Sequence, residues 1–424
     1  MVGKKLKVVW ICHFSDSKIR AHIHFSRFYY LRVIKKLLGR SFGEWQDMAV
    51  WVSNAISEFE KYDDIDLTVV FPHAGIVGKK QEFSINGVNY KCFRSEDDSL
   101  WWHIKQRFFK KIDCNYNENR RIIRQWISDI SPDVIHLIGA ENPYYSMAAY
   151  DFPENIVSVV SLQTLMSDPA FKKNYPIDKD EYDYRVGIEK SIICKCKYIA
   201  TPIIQFREII KKDICPTASF LDMTLAVGQD VDKSPARKEY DFVYFAANIN
   251  KAADYAIEAF ALAFKTKPDI TLNISGAYSP DYKQVLDRRI QELGIKDNVF
   301  FTGAQPSHSD VLRQIRKSRY ALLPLKIDLI SGTIREAMAC GLPVVSTITP
   351  ATPQLNEDRE CVLLSPSGDF ASMAQNMIRL ISDDSYASLI RENAYITIQE
   401  KYSNTRFMKG WHDSYLEILN KNAI

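Results

Sequence analysis

Short apolar runs, each followed by a stretch with helical spacing, recur along the chain in two series. In the first, residues 7–14, 66–72, 88–93, 134–138 and 156–162 read as strands, with helical patterns near 27–38, 44–60 and 117–130. The turn pair Asn86 and Gly87 precedes the third run, and Ser131, Pro132 and Asp133 break the helix before the fourth. Runs of this length, bounded by turn signals, suit strands covered on both faces, and the helices between them are the covers. A polar, proline-containing stretch at 229–240 interrupts the pattern. The second series then starts at 241–245 and continues at 270–274, 299–301, 320–323 and 344–345. Its first helix, 252–265, places Ala253, Ile257, Phe260 and Phe264 on one face. The expectation is an α/β protein of two doubly wound domains, residues 1–235 and 236–403. Ligands of such sheets sit beyond the carboxyl ends of the strands, so two facing domains imply a cleft.

Composition narrows the function classes. A chain of 424 residues, 46% hydrophobic and 25% charged, is long enough for two sizeable cores. A net charge of +3 is too small to argue for nucleic acid. No apolar run approaches the ~20 residues of a spanning helix. The basic start of the chain runs directly into a strand and meets Cys12 and His13, so no secretory signal is expected. The 8 cysteines form no ligand framework, and reduced thiols in a cytoplasmic protein are the expectation. Cys194 and Cys196 lack zinc-knuckle spacing, and the isolated pair His22 and His24 reads as surface or core, so no metal is expected. There is no Gly-x-Gly pair and no phosphate loop ending in Gly-Lys-Ser/Thr, which argues against dinucleotide enzymes and kinases. Asp178 and Asp180 form an Asp-x-Asp triplet, of a kind common by chance, in a charged stretch.

The segment 331–347 carries the chemistry. Gly332 and Thr333 stand where a helix begins, so unpaired backbone N–H groups and a positive dipole end meet whatever lies in front. That is a seat for phosphate. Glu336 follows one turn in, eight residues after Asp328, and Gly341, Leu342 and Pro343 end the helix before the strand residues Val344 and Val345. Thr333 and Glu336 also have capping-box spacing, in which the glutamate would only close the helix end. The whole string resembles the donor-binding element of nucleotide-sugar glycosyltransferases of the GT-B fold, particularly the retaining family 4 (glycosyl transferases group 1). Asp328 stands where that family usually has its first glutamate. Further similarity lies in Gly303 after its strand, Leu323 and Pro324, residues 362–366, residues 133–136 (Asp-Val-Ile-His) and 227–232. Lys251, just before a helix, matches the family's lysine, whereas Ala246 and Ala247 replace its Gly-Arg turn and Gln163 replaces a common histidine. The resemblance implies two Rossmann-like domains, with the last helix, 404–424, crossing back onto the first.

It also implies roles. Lys251 would pair with the donor diphosphate, joined by the amides of Gly332 and Thr333. Glu336 would accept from ribose hydroxyls and Asp328 from hydroxyls of the donor sugar. Gln163 and His13 would lie on the sugar and acceptor side. The catalytic set is then Lys251, Asp328 and Glu336, and no metal or other cofactor beyond the nucleotide-sugar co-substrate is required. Configuration at the anomeric carbon would be retained, the leaving phosphate helping to deprotonate the acceptor hydroxyl. The acceptor implied is a glycan or a lipid-linked molecule in bacterial surface-polysaccharide assembly. Two other readings stay open: a non-catalytic GT-B protein that binds a nucleotide sugar or partner, favoured by Ala247 and Gln163, and a nucleotide-sugar 2-epimerase. Residues 27–40 and 101–111 mix aromatic and basic side chains. Such segments either lie on an anionic membrane, placing the protein at its inner face, or pack their aromatics into the core.

Overall fold

The computed structural model describes residues 5–26, 47–98, 114–162, 164–174, 177–224, 226–227, 236–245, 252–326, 332–349 and 351–422. The chain divides into two compact units, one of Met1–Ala226 with Phe407–Ile424, the other of Val227–Arg406. Both are sheets layered with helices.

The first unit holds β1 (Leu6–Ile11), β2 (Ile65–Pro72), β3 (Lys80–Ile85), β4 (Val88–Phe93), β5 (Val134–Ile138), β6 (Val157–Ser161), β7 (Tyr198–Ala200) and β8 (Phe220–Leu221). They are ordered β3-β4-β2-β1-β5-β6-β7-β8. Its principal helices are α1 (Val50–Phe59), α2 (Asn117–Ile130) and α3 (Lys179–Lys195). β1 lies between β2 and β5, parallel to both, and is buried from Val8 to Ile11. The sheet is not wholly parallel. β3 runs antiparallel to β4 around a two-residue turn in which Asn86 (φ 49°) and Gly87 (φ 83°) are both left-handed, as a tight hairpin requires. β3 escapes the apolar-run reading because it is an edge strand whose side chains alternate between half-buried and exposed.

The last helix, Asn404–Asn422, gives this unit Met408, Trp411, Tyr415 and Ile418, a buried stripe at helical spacing. Trp411 meets Trp10 edge-on, ring centres 5.4 Å apart. The Trp10 indole N–H donates to the Tyr415 hydroxyl at 3.0 Å, which also bonds His136 Nδ1. His136 Nε2 reaches Ser161 Oγ at 2.6 Å. The histidine of the Asp-Val-Ile-His strand is therefore a core residue, and burial drops its pKa to about 3.

The second unit holds β9 (Tyr240–Phe245), β10 (Leu272–Ser275), β11 (Val299–Gly303), β12 (Ser318–Leu323), β13 (Val344–Thr347) and β14 (Val362–Ser365). All pairs are parallel, in the order β11-β10-β9-β12-β13-β14. Its helices include α4 (Ala253–Thr266), α5 (Pro280–Glu292), α6 (His308–Ile315), α7 (Gly332–Ala339), α8 (Phe370–Ser382) and α9 (Asp384–Lys401). The chain builds outward from β9 to β11, then returns to lay β12 on the other side of β9. That reversal is the switch point at which doubly wound sheets bind ligands. α7 follows β12 and so begins beside it.

Candidate active site

The departing end of β12 is fixed by its neighbour. Ser346 Oγ donates to the Leu323 carbonyl at 2.7 Å. Leu325 N–H donates to Thr347 Oγ1 at 2.8 Å, and that hydroxyl donates back to the Leu325 carbonyl at 2.7 Å. Lys326 Nζ then pairs with Asp254 Oδ2 in the first turn of α4, 2.7 Å away. α7 is stopped at its far end by Gly341, whose φ of 71° lets its N–H reach the Met338 carbonyl and the Leu342 N–H reach that of Ala337. The chain up to Lys326 and the far end of α7 are thus fixed.

Gly332 and Thr333 open α7, as the sequence pattern requires. A Cβ added at Gly332 would meet Val227 Cγ1 at 3.7 Å, an ordinary contact, so the fold itself does not demand glycine there. Glu336 lies one turn in. Its Oε1 stands 3.0 Å from His308 Nε2, both side chains being mostly buried. The carboxylate is thus engaged by a neighbouring helix, which the capping-box reading does not foresee. Arg335, next to it, is turned inward and buried, which lowers its pKa to about 10. Lys251, Asp328 and Gln163 lie outside the described residues, as do the segments 27–40 and 101–111. Ala252, which follows Lys251, is buried and left-handed (φ 58°) and turns the chain into α4.

In the first unit, His13 lies just past β1. His13 Nδ1 and the Tyr144 hydroxyl are hydrogen-bonded at 2.5 Å. Burial, with the nearby His73, lowers the His13 pKa to about 4, so its ring is neutral at physiological pH. Ser15 Oγ, 3.3 Å from His73 Nε2, accepts from Arg20, whose guanidinium also pairs with Asp47 at 2.7 Å. Past the end of β5, Glu141 is pushed up to about 7 by burial, and its Oε2 has no hydrogen-bond partner among the described residues. Its neighbour Glu189 is satisfied by Met166 N–H, Ser167 N–H and Ser167 Oγ. The Asp178 triplet is structural: Asp178 Oδ1 accepts from the N–H groups of Asp180 and Glu181 and caps α3. Among the described residues no group of His, Cys, Asp and Glu has the arrangement of a metal site.

Sequence reasoning missed Tyr144, Glu141 and His308. For His308 the available signal was the Ser307-x-x-Asp310 cap just past the glycine that ends β11, which puts His308 at a helix start on the ligand edge. Nothing in the sequence pairs it with a glutamate 28 positions on.

Two doubly wound units, with an acid-bearing helix at the switch point of the second, are the architecture of the GT-B fold. Residues 228–397 match the family described as Glycosyl transferases group 1. Over that stretch the chain is related to that family, and its two units have the GT-B fold. Among curated proteins it is similar to N-acetyl-alpha-D-glucosaminyl L-malate synthase of Bacillus anthracis, 23% identical over 266 residues, 61% of this chain and 66% of that protein. It spans between 18% and 66% of the length of the curated relatives it matches. Among solved structures it is similar to sucrose-phosphate synthase of Thermosynechococcus elongatus, with TM-score 0.69, 13% identity, and 98% and 100% of the two chains covered. It is also similar to Anabaena HepE, solved with UDP and glucose, with TM-score 0.66, 13% identity, and 97% and 100% covered. At these identities the solved structures speak for the fold. Among the described residues no helix is long and apolar enough to cross a membrane.

Proposed function

We propose that this protein is a retaining glycosyltransferase that moves a sugar from a UDP-sugar to a hydroxyl of a glycan or lipid-linked acceptor in polysaccharide assembly. The observation that carries the reading is α7. It starts beside β12 at the sheet's switch point and holds the carboxylate of Glu336 in a mostly buried setting, inside the stretch that matches the family. UDP is chosen as the nucleotide because HepE was solved with it.

Breaking the anomeric C–O bond leaves a diphosphate whose negative charge must be met by fixed donors, usually the largest catalytic term. The N–H groups at the start of α7 and the Lys251 ammonium are suited to that charge, without a divalent ion. Glu336 takes the ribose and Asp328 the donor sugar's hydroxyls. As charge grows on the leaving phosphate, that oxygen takes the proton of the incoming hydroxyl, which attacks from the same face. Two carboxylates working as in glycoside hydrolysis are then unnecessary. Gln163 and His13 serve the sugar and acceptor side. His13, being neutral, can exchange hydrogen bonds with a hydroxyl but carries no charge toward it. The segments 27–40 and 101–111 hold the protein to the inner face of an anionic membrane.

The test is incubation with a panel of UDP-sugars and hydroxylated acceptors in EDTA, followed by assignment of the product's anomeric configuration by NMR. An α-linked product from an α-linked donor is expected. A β-linked product, or turnover that stops in EDTA and returns with a divalent ion, sinks the mechanism.

A further inference from the structure

We infer that His308 is the positioning residue for ribose recognition, holding Glu336 by one carboxylate oxygen so that the other is presented to a ribose hydroxyl; this rests on the nucleotide reading of α7. His308 Nε2 lies 3.0 Å from Glu336 Oε1, with side chains 18% and 13% exposed. No hydrogen bond to Glu336 Oε2 is present among the described residues.

Both partners sit on fixed supports. His308 is the first residue of α6, directly after Ser307, whose Oγ accepts from the Asp310 N–H at 3.2 Å and donates to Asp310 Oδ2 at 2.7 Å. Glu336 is on α7, closed by the Gly341 turn. α6 starts past the carboxyl end of β11 and α7 past that of β12, so the two helix starts come from the ligand-binding edge of one sheet. A glutamate left to itself samples many rotamers, and ordering it on binding opposes affinity. A charge-assisted bond from an imidazole removes that freedom beforehand and leaves the second oxygen without a hydrogen-bond partner among the described residues. Donation from Nε2 works for the neutral Nε2–H ring and for the imidazolium alike. The arrangement therefore grips one hydroxyl of the ribose, where an unheld carboxylate could take both in a fork.

The test titrates the full chain calorimetrically with UDP and with 2′,3′-dideoxy-UDP. Native protein should prefer UDP by about tenfold to 100-fold, the range for one hydrogen bond to a charged group. His308→Ala should weaken UDP about tenfold, leave the dideoxy analogue unchanged, and so shrink the preference. His308→Gln, which keeps a side-chain N–H donor, should restore part of it. Adding His308→Ala to Glu336→Gln should cost little more than Glu336→Gln alone. Unchanged UDP affinity in His308→Ala would overturn the inference. So would equal loss of both ligands with a lowered melting temperature, which would make the pair a strap between helices. If the native protein binds UDP but does not distinguish the dideoxy analogue, this inference fails while the nucleotide reading survives. If it binds no UDP at all, that reading falls first.

Discussion

At the scale of single residues, two side chains, one in each unit, lend themselves to direct tests. Lys251 should matter most where charge grows, so Lys251→Ala is expected to lower kcat about 100-fold or more while changing UDP affinity far less. Steady-state kinetics beside calorimetry read the two separately, and equal losses in both would make it a ground-state contact. Glu141 provides a pH signature. Its carboxyl is raised from 4.5 to about 7 by burial. The folded state therefore keeps a proton that the unfolded chain has already lost. The associated stability is fully present below pH ~4.5 and disappears as pH rises through ~7. Glu141→Gln should leave the protein more stable than native at pH 8, by about 1–3 kcal/mol, and nearly equal at pH 4.5. Urea melts at the two values check this, and a variant destabilised at pH 8 would show that the ionised carboxylate is needed.

At the scale of elements, legibility followed environment. Strands buried on both faces, such as Val134–Ile138 and Val157–Ser161, are mostly apolar and were readable. β3 alternates because one face meets solvent, and β8 has two residues, so neither leaves the same mark. α7 was legible because a glycine start, an acid and a Gly-x-Pro stop fall within one short string. His308, Tyr144 and Glu141 were not, since their meaning lies in partners brought near only by the fold. The last helix was expected from resemblance, but its polar anchor was not. The Tyr415 hydroxyl bonds both the Trp10 indole and His136. Tyr415→Phe removes the shared partner and strands two buried ring nitrogens. A loss of about 2–6 kcal/mol is expected at roughly 1–3 kcal/mol per orphaned group. The transition followed by tryptophan fluorescence should shift to lower urea, and an unmoved midpoint would mean that water replaces the hydroxyl.

At the scale of the whole molecule, the membrane proposal is tested by sedimentation with vesicles of mixed neutral and anionic lipid. The protein should pellet at low salt and release as salt rises, since each basic residue near such a surface contributes about 1 kcal/mol. Replacing Lys105, Arg107, Lys110 and Lys111 by Gln should abolish pelleting and leave UDP affinity intact. No pelleting of the native protein would return those segments to the core and make a soluble acceptor the better candidate. The division of the chain has its own outcome during synthesis. The first unit takes its closing face from Phe407–Ile424, so Trp10 has no Trp411 to pack on until the chain through Trp411 has left the ribosome. The second unit, contiguous within Val227–Arg406, can finish first. Translation order and folding order are then reversed, and a chain cut short before Phe407 would damage the unit made earlier.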